Sequence, residues 1–266
     1  MIRGLYNYGN ENKGRLMPSE GFKPISVKKP SANRVLFRTR CLVDLQLMTI
    51  VRYLRPAMAR LNGAVLDVGA GESPWREWLP DTTSYRGIDV GNASEFGMEQ
   101  GRDDITYYDG RIIPFPDASF DGAICIEVLE HVEDPSALVA EIARCLRPGA
   151  TLLVTVPWSA RRHHVPHDYH RFTRERLQRL FEGGGFVRVE IEERGTDIAA
   201  IASKLVVLSL RLAPRRVSLQ TLWTFPAFLL TLPITAIFVV SAHVSEHMGT
   251  GAKEDPLGYF VQAIRG

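Results

Sequence analysis

The sequence predicts a doubly wound α/β fold, a Rossmann-like parallel sheet with helices on both faces, and three observations carry that expectation. An apolar run at 64–68 ends in a Gly-x-Gly turn, Gly69 and Gly71. A second run, Tyr85–Val90, ends in an acid, Asp89. Beyond these, strand-like apolar runs alternate with stretches of helical spacing. Glycines without Cβ let the backbone approach a ligand closely. An acid at the tip of the next strand can accept two hydrogen bonds from ribose hydroxyls. The pattern therefore predicts an adenosine-containing ligand at the carboxyl ends of the strands.

Taken in chain order, residues 42–61 place apolar side chains at helical spacing, with Pro56 as a kink or a break. Strands are expected at 64–69, 84–90, 105–109, 121–126, 150–157 and 185–192. Between the fourth and fifth lies 134–149, where Asp134 suits an N-cap and Pro135 the first helical turn. Leu138, Val139, Ile142 and Leu146 share a face there, and Gly149 marks a stop. A further helix is expected from Thr173 to Glu182, before Gly183-Gly184-Gly185.

Composition sets the frame. The 266 residues suffice for one large domain, or one domain and an appendage, and 45% hydrophobic with 23% charged residues is ordinary for a globular protein. The net charge of +2 is unevenly placed. Residues 1–40 hold nine Lys or Arg against Glu11 and Glu20, a basic N-terminal arm over 1–41. Cys41, Cys125 and Cys145 form neither a disulfide framework nor a metal pattern, which favours a reducing compartment. Met1–Asn10 is polar, so no signal peptide is expected, and no nucleic-acid partner either.

The third position of the glycine motif narrows the ligand. A dinucleotide fingerprint needs a third glycine at what is here Pro74, and Glu72 puts a negative charge where a pyrophosphate would lie. A cationic cofactor without phosphate meets no such obstacle. Asp67-Val68-Gly69-Ala70-Gly71, followed by Asp89, resembles motifs I and II of the class I S-adenosylmethionine (SAM)-dependent methyltransferases. Ser73 stands where that family usually has another glycine. The stretch 104–135, with Phe120-Asp121 and Glu127–Val132, resembles the third and fourth strands of the type 11 methyltransferase domain, and 146–157 its fifth. The resemblance covers about 60–195 and implies a seven-stranded sheet with an antiparallel last strand, here 258–265. It implies SAM contacts from Asp67, Gly69, Ala70, Gly71, Asp89, Val90, Asp109, Gly110 and Glu127.

Methyl transfer asks the protein mainly to align a nucleophile with an activated methyl, and a hydroxyl acceptor usually also needs a general base. The loop 158–173 gathers His163, His164, His167 and His170 with Asp168, Tyr169 and Arg171. It resembles a stretch of type 11 relatives associated with glycan biosynthesis, matched by His164, Pro166, His167, Asp168, Tyr169, Arg171 and Phe172. Three readings stand: a base among the histidines or Asp168, a structural lid pairing Asp168 with Arg171, or a divalent metal held by histidines and Asp168. The catalytic candidates are His131, His164, His167, Asp168 and Tyr169, and no metal ion is assigned.

The chain then carries something the core does not require. Residues 217–242 contain no charge, a span long enough to cross a bilayer, after a second apolar stretch at 198–214 broken by Lys204 and Arg211. A single crossing would strand the last β-strand on the wrong side. Pro226 and Pro233 suit a broken or re-entrant segment. The expectation is a helical insertion over 197–250 dipping into one leaflet, with Lys204, Arg211, Arg215 and Arg216 at the headgroups. The alternative is an apolar insertion buried in a homodimer interface or against the core. The division expected is thus an arm to 41, a core over 42–196, the insertion over 197–250 and a completing strand over 251–266. Two functions remain open. One is a cytoplasmic, monotopic methyltransferase on the inner membrane face, acting on a small-molecule or lipid-linked acceptor such as a saccharide. The other is an inactive SAM-fold module serving as a membrane-tethered assembly partner.

Overall fold

The sheet is built outward from β1 (Ala64–Val68), in which Val65, Leu66 and Val68 are buried because both faces are covered by helices. A computed structural model describes residues 26–91, 102–214, 219 and 221–266 of the chain. Around β1 lie β2 (Ser84–Val90), β3 (Ile105–Tyr108), β4 (Phe120–Ile126), β5 (Leu146–Pro157), β6 (Phe186–Arg194) and β7 (Gly258–Arg265). Their order is β3-β2-β1-β4-β5-β7-β6. Strands β1 to β5 run parallel, and β7 lies antiparallel to both β5 and β6. The strand order reverses between β1 and β4, which places the ligand crevice at their carboxyl ends.

The helix expected over 42–61 is two helices, α1 (Arg34–Val43) and α2 (Leu45–Met58). Asp44 divides them, accepting from Leu47 N as the cap of α2 while its own N–H closes α1 on Arg40 O. Pro56 lies in the last turn of α2, which ends two residues on at Met58. Helix α3 (Pro135–Cys145) has Asp134 as its cap, accepting from Ser136 N and Ala137 N. It ends before the expected stop because Pro148 disfavours helical backbone at Arg147, so β5 begins already at Leu146. Helix α4 (Arg174–Gly183) follows its cap, Thr173. One face of the sheet packs on α2 through Leu47, Ile50, Leu54 and Met58 against Val65, Ile124, Leu153 and Phe260. The other packs on α3 and α4 through Val139, Ile142, Leu177 and Phe181. The three cysteines are free thiols.

Between β6 and β7 the chain leaves the sheet as α5 (Asp197–Leu212) and α6 (Thr221–Met248). Their base is seated on the core by Ala199, Ala200, Ala202 and Ala242, small residues packed against Leu45 and Leu257. Inside the pair, Ser209 and Thr235 hydroxyls lie 2.8 Å apart, and Thr196 and Ser245 hydroxyls 3.2 Å apart. α6 is a single helix through both Pro226 and Pro233, so the expected break does not occur. Hydroxyls on its own turns take up backbone carbonyls, Thr231 that of Phe228 and Thr235 that of Thr231. Residues 1–25 of the arm, and Arg215 and Arg216, lie outside the described residues.

The antiparallel strand is fitted closely where it enters the sheet. A Cβ on Gly258 would lie 2.4 Å from Val156 O and 2.5 Å from Arg194 Nη2. Gly258→Ala is therefore expected to destabilise the protein by about 2 kcal/mol, as overpacking does in close-packed interiors, measured by urea unfolding.

Candidate active site

The turn after β1 is shaped by two demands on Gly69. Its φ is +71°, and a Cβ there would lie 2.4 Å from Val128 Cγ2. Only glycine meets both. Gly69 N and Ala70 N donate to Ile88 O, at 2.9 and 3.0 Å, tying the turn to β2. Asp89 then closes it from the far side. Its Oδ2 accepts from Gly71 N at 2.9 Å and its Oδ1 from Val90 N at 2.8 Å. Burial pushes the Asp89 carboxyl upward, and the two N–H donors pull it back.

These groups line a cavity of about 320 Å³ over the carboxyl ends of β1, β2 and β4. Of the residues expected at a cofactor, Gly69, Gly71, Asp89, Val90, Gly110 and Glu127 are in its wall. Of the catalytic candidates, His131, His164, His167 and Tyr169 are there too. Four expected residues are not. Asp67 is 2% exposed and turned under the turn, where Tyr85 OH donates to its Oδ2 at 2.7 Å. The same phenol lies 2.8 Å from Ser73 Oγ, so Asp67 supports the glycine turn from below. Ala70 is buried in the turn. Asp109 is exposed beside Gly110, and its Oδ1 accepts from Arg111 N. Asp168 is held by Arg171 in a two-pronged bond of 2.7 and 2.9 Å and accepts from His163 N at 3.0 Å. It orders the histidine loop instead of facing the cavity, as the lid reading expected of this pair.

Partners of the expected wall residues, Arg194 behind Glu127 and Glu133 beside Tyr169, were not anticipated. Glu127 has φ +54° at the tip of β4, and its Oε1 accepts from Arg194 Nη2 at 2.8 Å. Arg194 has no exposure and also donates to Tyr259 O, Val156 O and Thr49 Oγ1. On the opposite rim, Tyr169 OH donates to Glu133 Oε1 at 3.1 Å and lies 3.0 Å from His167 Nδ1. His131 Nδ1–H donates to His167 O at 2.6 Å. Burial holds the His131 ring down at about 4, so it is neutral near pH 7. Glu130 beside it is fully buried, and burial with the neighbouring Glu127 carboxylate raises its carboxyl well above the usual range.

The residues fit SAM. A cradle that any Cβ at Gly69 would fill leaves room for an uncharged backbone to lie along the ligand, and the Asp89 carboxylate stands where ribose hydroxyls would need an acceptor. Glu127 stands in the same wall with its carboxylate paired to the buried Arg194. Residues 66–154 match the family described as Methyltransferase domain. Over these residues the chain is similar to methyltransferase domains. An O-methyltransferase of Pyrenophora dematioidea is 33% identical over 117 residues, covering 40% of this chain and 43% of that protein. A ubiquinone biosynthesis O-methyltransferase of Paracidovorax citrulli is 34% identical over 102 residues, 35% of this chain and 43% of that one. The chain thus spans less than half the length of these curated relatives. Among solved structures, a SAM-dependent methyltransferase of Thermotoga maritima, titled a possible histamine N-methyltransferase, covers 88% of this chain and 96% of its own at TM-score 0.51 and 11% identity. The cyclase SpnF covers 83% and 82% at TM-score 0.51 and 21% identity. At such identities the structures show the methyltransferase-domain fold alone, and a fold does not fix a reaction.

Asp67 yields a pH test of the domain's turn. Burial raises its pKa from the ordinary 3.8 to about 7. Between those values the folded chain keeps a proton that the unfolded chain releases, so this group costs stability increasingly as pH rises from about 4 to about 7. Asp67→Asn keeps an acceptor for Tyr85 and carries no charge. Its stability relative to the parent protein is expected to rise between pH 4 and pH 8, measured by urea unfolding across that range.

Proposed function

We propose that the protein transfers the methyl group of SAM to a hydroxyl of an amphiphilic acceptor, such as a lipid-linked saccharide, at the inner face of the cell membrane. The observation that carries the transfer half is one cavity wall bearing both the glycine turn with Asp89 and the imidazoles of His131, His164 and His167. Bound SAM supplies an activated methyl on a sulfonium. Asp89 and the backbone at Gly69 and Gly71 would hold the cofactor, with Glu127 in the same wall, and the imidazole side would receive the acceptor hydroxyl. Tyr169, anchored to Glu133, limits how that hydroxyl can lie. The names of the relatives, O-methyltransferases, support oxygen as the acceptor atom.

The membrane half is supported by α6. It is the helix among the described residues long and apolar enough to cross a bilayer, and only 11% of its most apolar stretch is buried. The Ser209–Thr235 contact lies one turn before α5 ends at Leu212, so the first ten or so residues of α6 extend past it. At about 1.5 Å per residue this overhang is about 15 Å, half the hydrocarbon thickness of a bilayer. Leu222 is 76% exposed, Leu230 70% and Trp223 63%, more apolar surface than an isolated soluble helix tolerates. Arg211 in the last turn of α5 lies at the base of the overhang, a position suited to headgroups. Near the root, α1 exposes Val35, Leu36, Leu42 and Val43, and His243 Nε2 bonds to Leu42 O at 2.9 Å. Free thiols agree with a cytoplasmic setting.

Two measurements test the halves separately. Calorimetric titration with SAM is expected to show binding that Asp89→Ala weakens by roughly tenfold or more, since bonds to a charged acceptor contribute about 1.5–3 kcal/mol each. Equal affinity in both proteins overturns the cofactor assignment. In flotation with anionic liposomes, the full chain is expected to rise with the lipid, and a Leu229→Glu/Leu230→Glu double variant to remain below. If the variant floats as well as the parent, the overhang is not what meets the membrane.

A further inference from the structure

His131, His163 and His164 bring one ring nitrogen each to within 4.8 Å of the others. Their ring centroids lie 4.8, 5.0 and 5.2 Å apart. Hydrogen bonding fixes how two of the rings present themselves. A carbonyl only accepts, so His131 Nδ1–H donates to His167 O at 2.6 Å and His163 Nδ1–H to Arg161 O at 3.0 Å. In both rings the proton is therefore on Nδ1 and the lone pair on Nε2. Backbone acceptors behind the ring orient metal-ligating imidazoles in this same way.

A second observation comes from Glu130. It has no exposure, neither of its carboxylate oxygens has a hydrogen-bond partner on another residue, and its Oε1 lies 3.6 Å from His131 Nε2. A carboxylate removed from water without donors is costly unless a proton or a cation neutralises it. Here the group is aimed at the edge of an imidazole cluster.

We propose that His131, His163 and His164, with Glu130 behind them, bind a divalent transition ion of the zinc class. Imidazoles with one carboxylate suit zinc or iron(II), whereas an all-oxygen set would suit magnesium. In a tetrahedral zinc site with Zn–N near 2.1 Å, ligand nitrogens lie about 3.4 Å apart, so the rings close by roughly an ångström on binding. His131 and His164 also line the cofactor cavity, so an open coordination position would face the acceptor hydroxyl. What the ion does there rests on the O-methylation reading, while its binding does not. A coordinated hydroxyl loses its proton to solvent more readily. The new O–CH3 bond then forms as the S–CH3 bond breaks, leaving a neutral thioether. The sequence alone assigned no metal because no second ligand cluster stands out beside the histidine loop, and Glu130 and His131 come from the far end of β4.

Cobalt(II) serves as the probe, added to the full chain after chelator treatment and dialysis. The expected result is visible d–d absorption saturating at one equivalent, displaced by zinc and not by magnesium. His163→Ala is expected to abolish it, and Glu130→Gln to weaken cobalt affinity about tenfold or more. SAM titration of the same samples reports whether each variant is folded. SAM binding without any saturable cobalt signal, or a signal unchanged in a His163→Ala protein that still binds SAM, overturns the metal site and leaves the methyltransferase reading standing. Cobalt binding without SAM binding does the reverse.

Discussion

A guanidinium sealed from water holds this structure together. Arg194 ends β6, yet its donors reach β7 at Tyr259 O, β5 at Val156 O, α2 at Thr49 Oγ1 and the tip of β4 at Glu127. A buried charge is tolerable only when its donors are matched, and breaking such a pair costs about 3–5 kcal/mol because the other charge is left behind. Burial lowers the arginine's pKa, and Glu127 is the first group to oppose that shift. The arrangement works in both directions. Glu127 holds a left-handed backbone conformation at the cavity wall, fixed by its N–H bond to Thr155 O and by Arg194 on its carboxylate.

The cavity is thus assembled from two sides with different logic. On the β1–β2 side, backbone geometry dominates: Gly69 against Val128, and Asp89 closing on Gly71. On the β4 side and in the loop after β5, side-chain networks dominate, with His131, His167, Tyr169 and Glu133 bonded in series. The first side is where the proposed cofactor would lie. The second is where an acceptor would be chosen.

That contrast also explains what the amino-acid sequence made legible. Gly69, Gly71 and Asp89 were readable because turn chemistry is local, and the seven-stranded order followed from the resemblance those motifs carry. Asp67 was misplaced because alternation along β1 decides which face it takes, and Tyr85 on the neighbouring strand captures it there. Asp168 was misplaced because Arg171, three residues on, takes both its oxygens. Arg194 went unread, since nothing in Glu193-Arg194-Gly195 hints that the strand tip is covered by α2 and β7. Glu130 was visible as a letter, but the separation of its carboxylate from donors on other residues is a property of packing. In α6 the prolines suggested a break, and the helix passed through both.

The root of the α5–α6 insertion has a mechanical consequence. The chain leaves the sheet just after Arg194 and rejoins it at Gly258, and these two residues are paired neighbours across β6 and β7. A pull on the helices therefore draws both strands the same way. The load falls in shear on the ladder between β7 and β5, seven residue pairs from Thr151–Ile264 to Pro157–Gly258, where many hydrogen bonds must fail together. The β1–β2 pair with its glycine turn lies off that line of force, so a pull on the helices loads one side of the sheet without distorting the other.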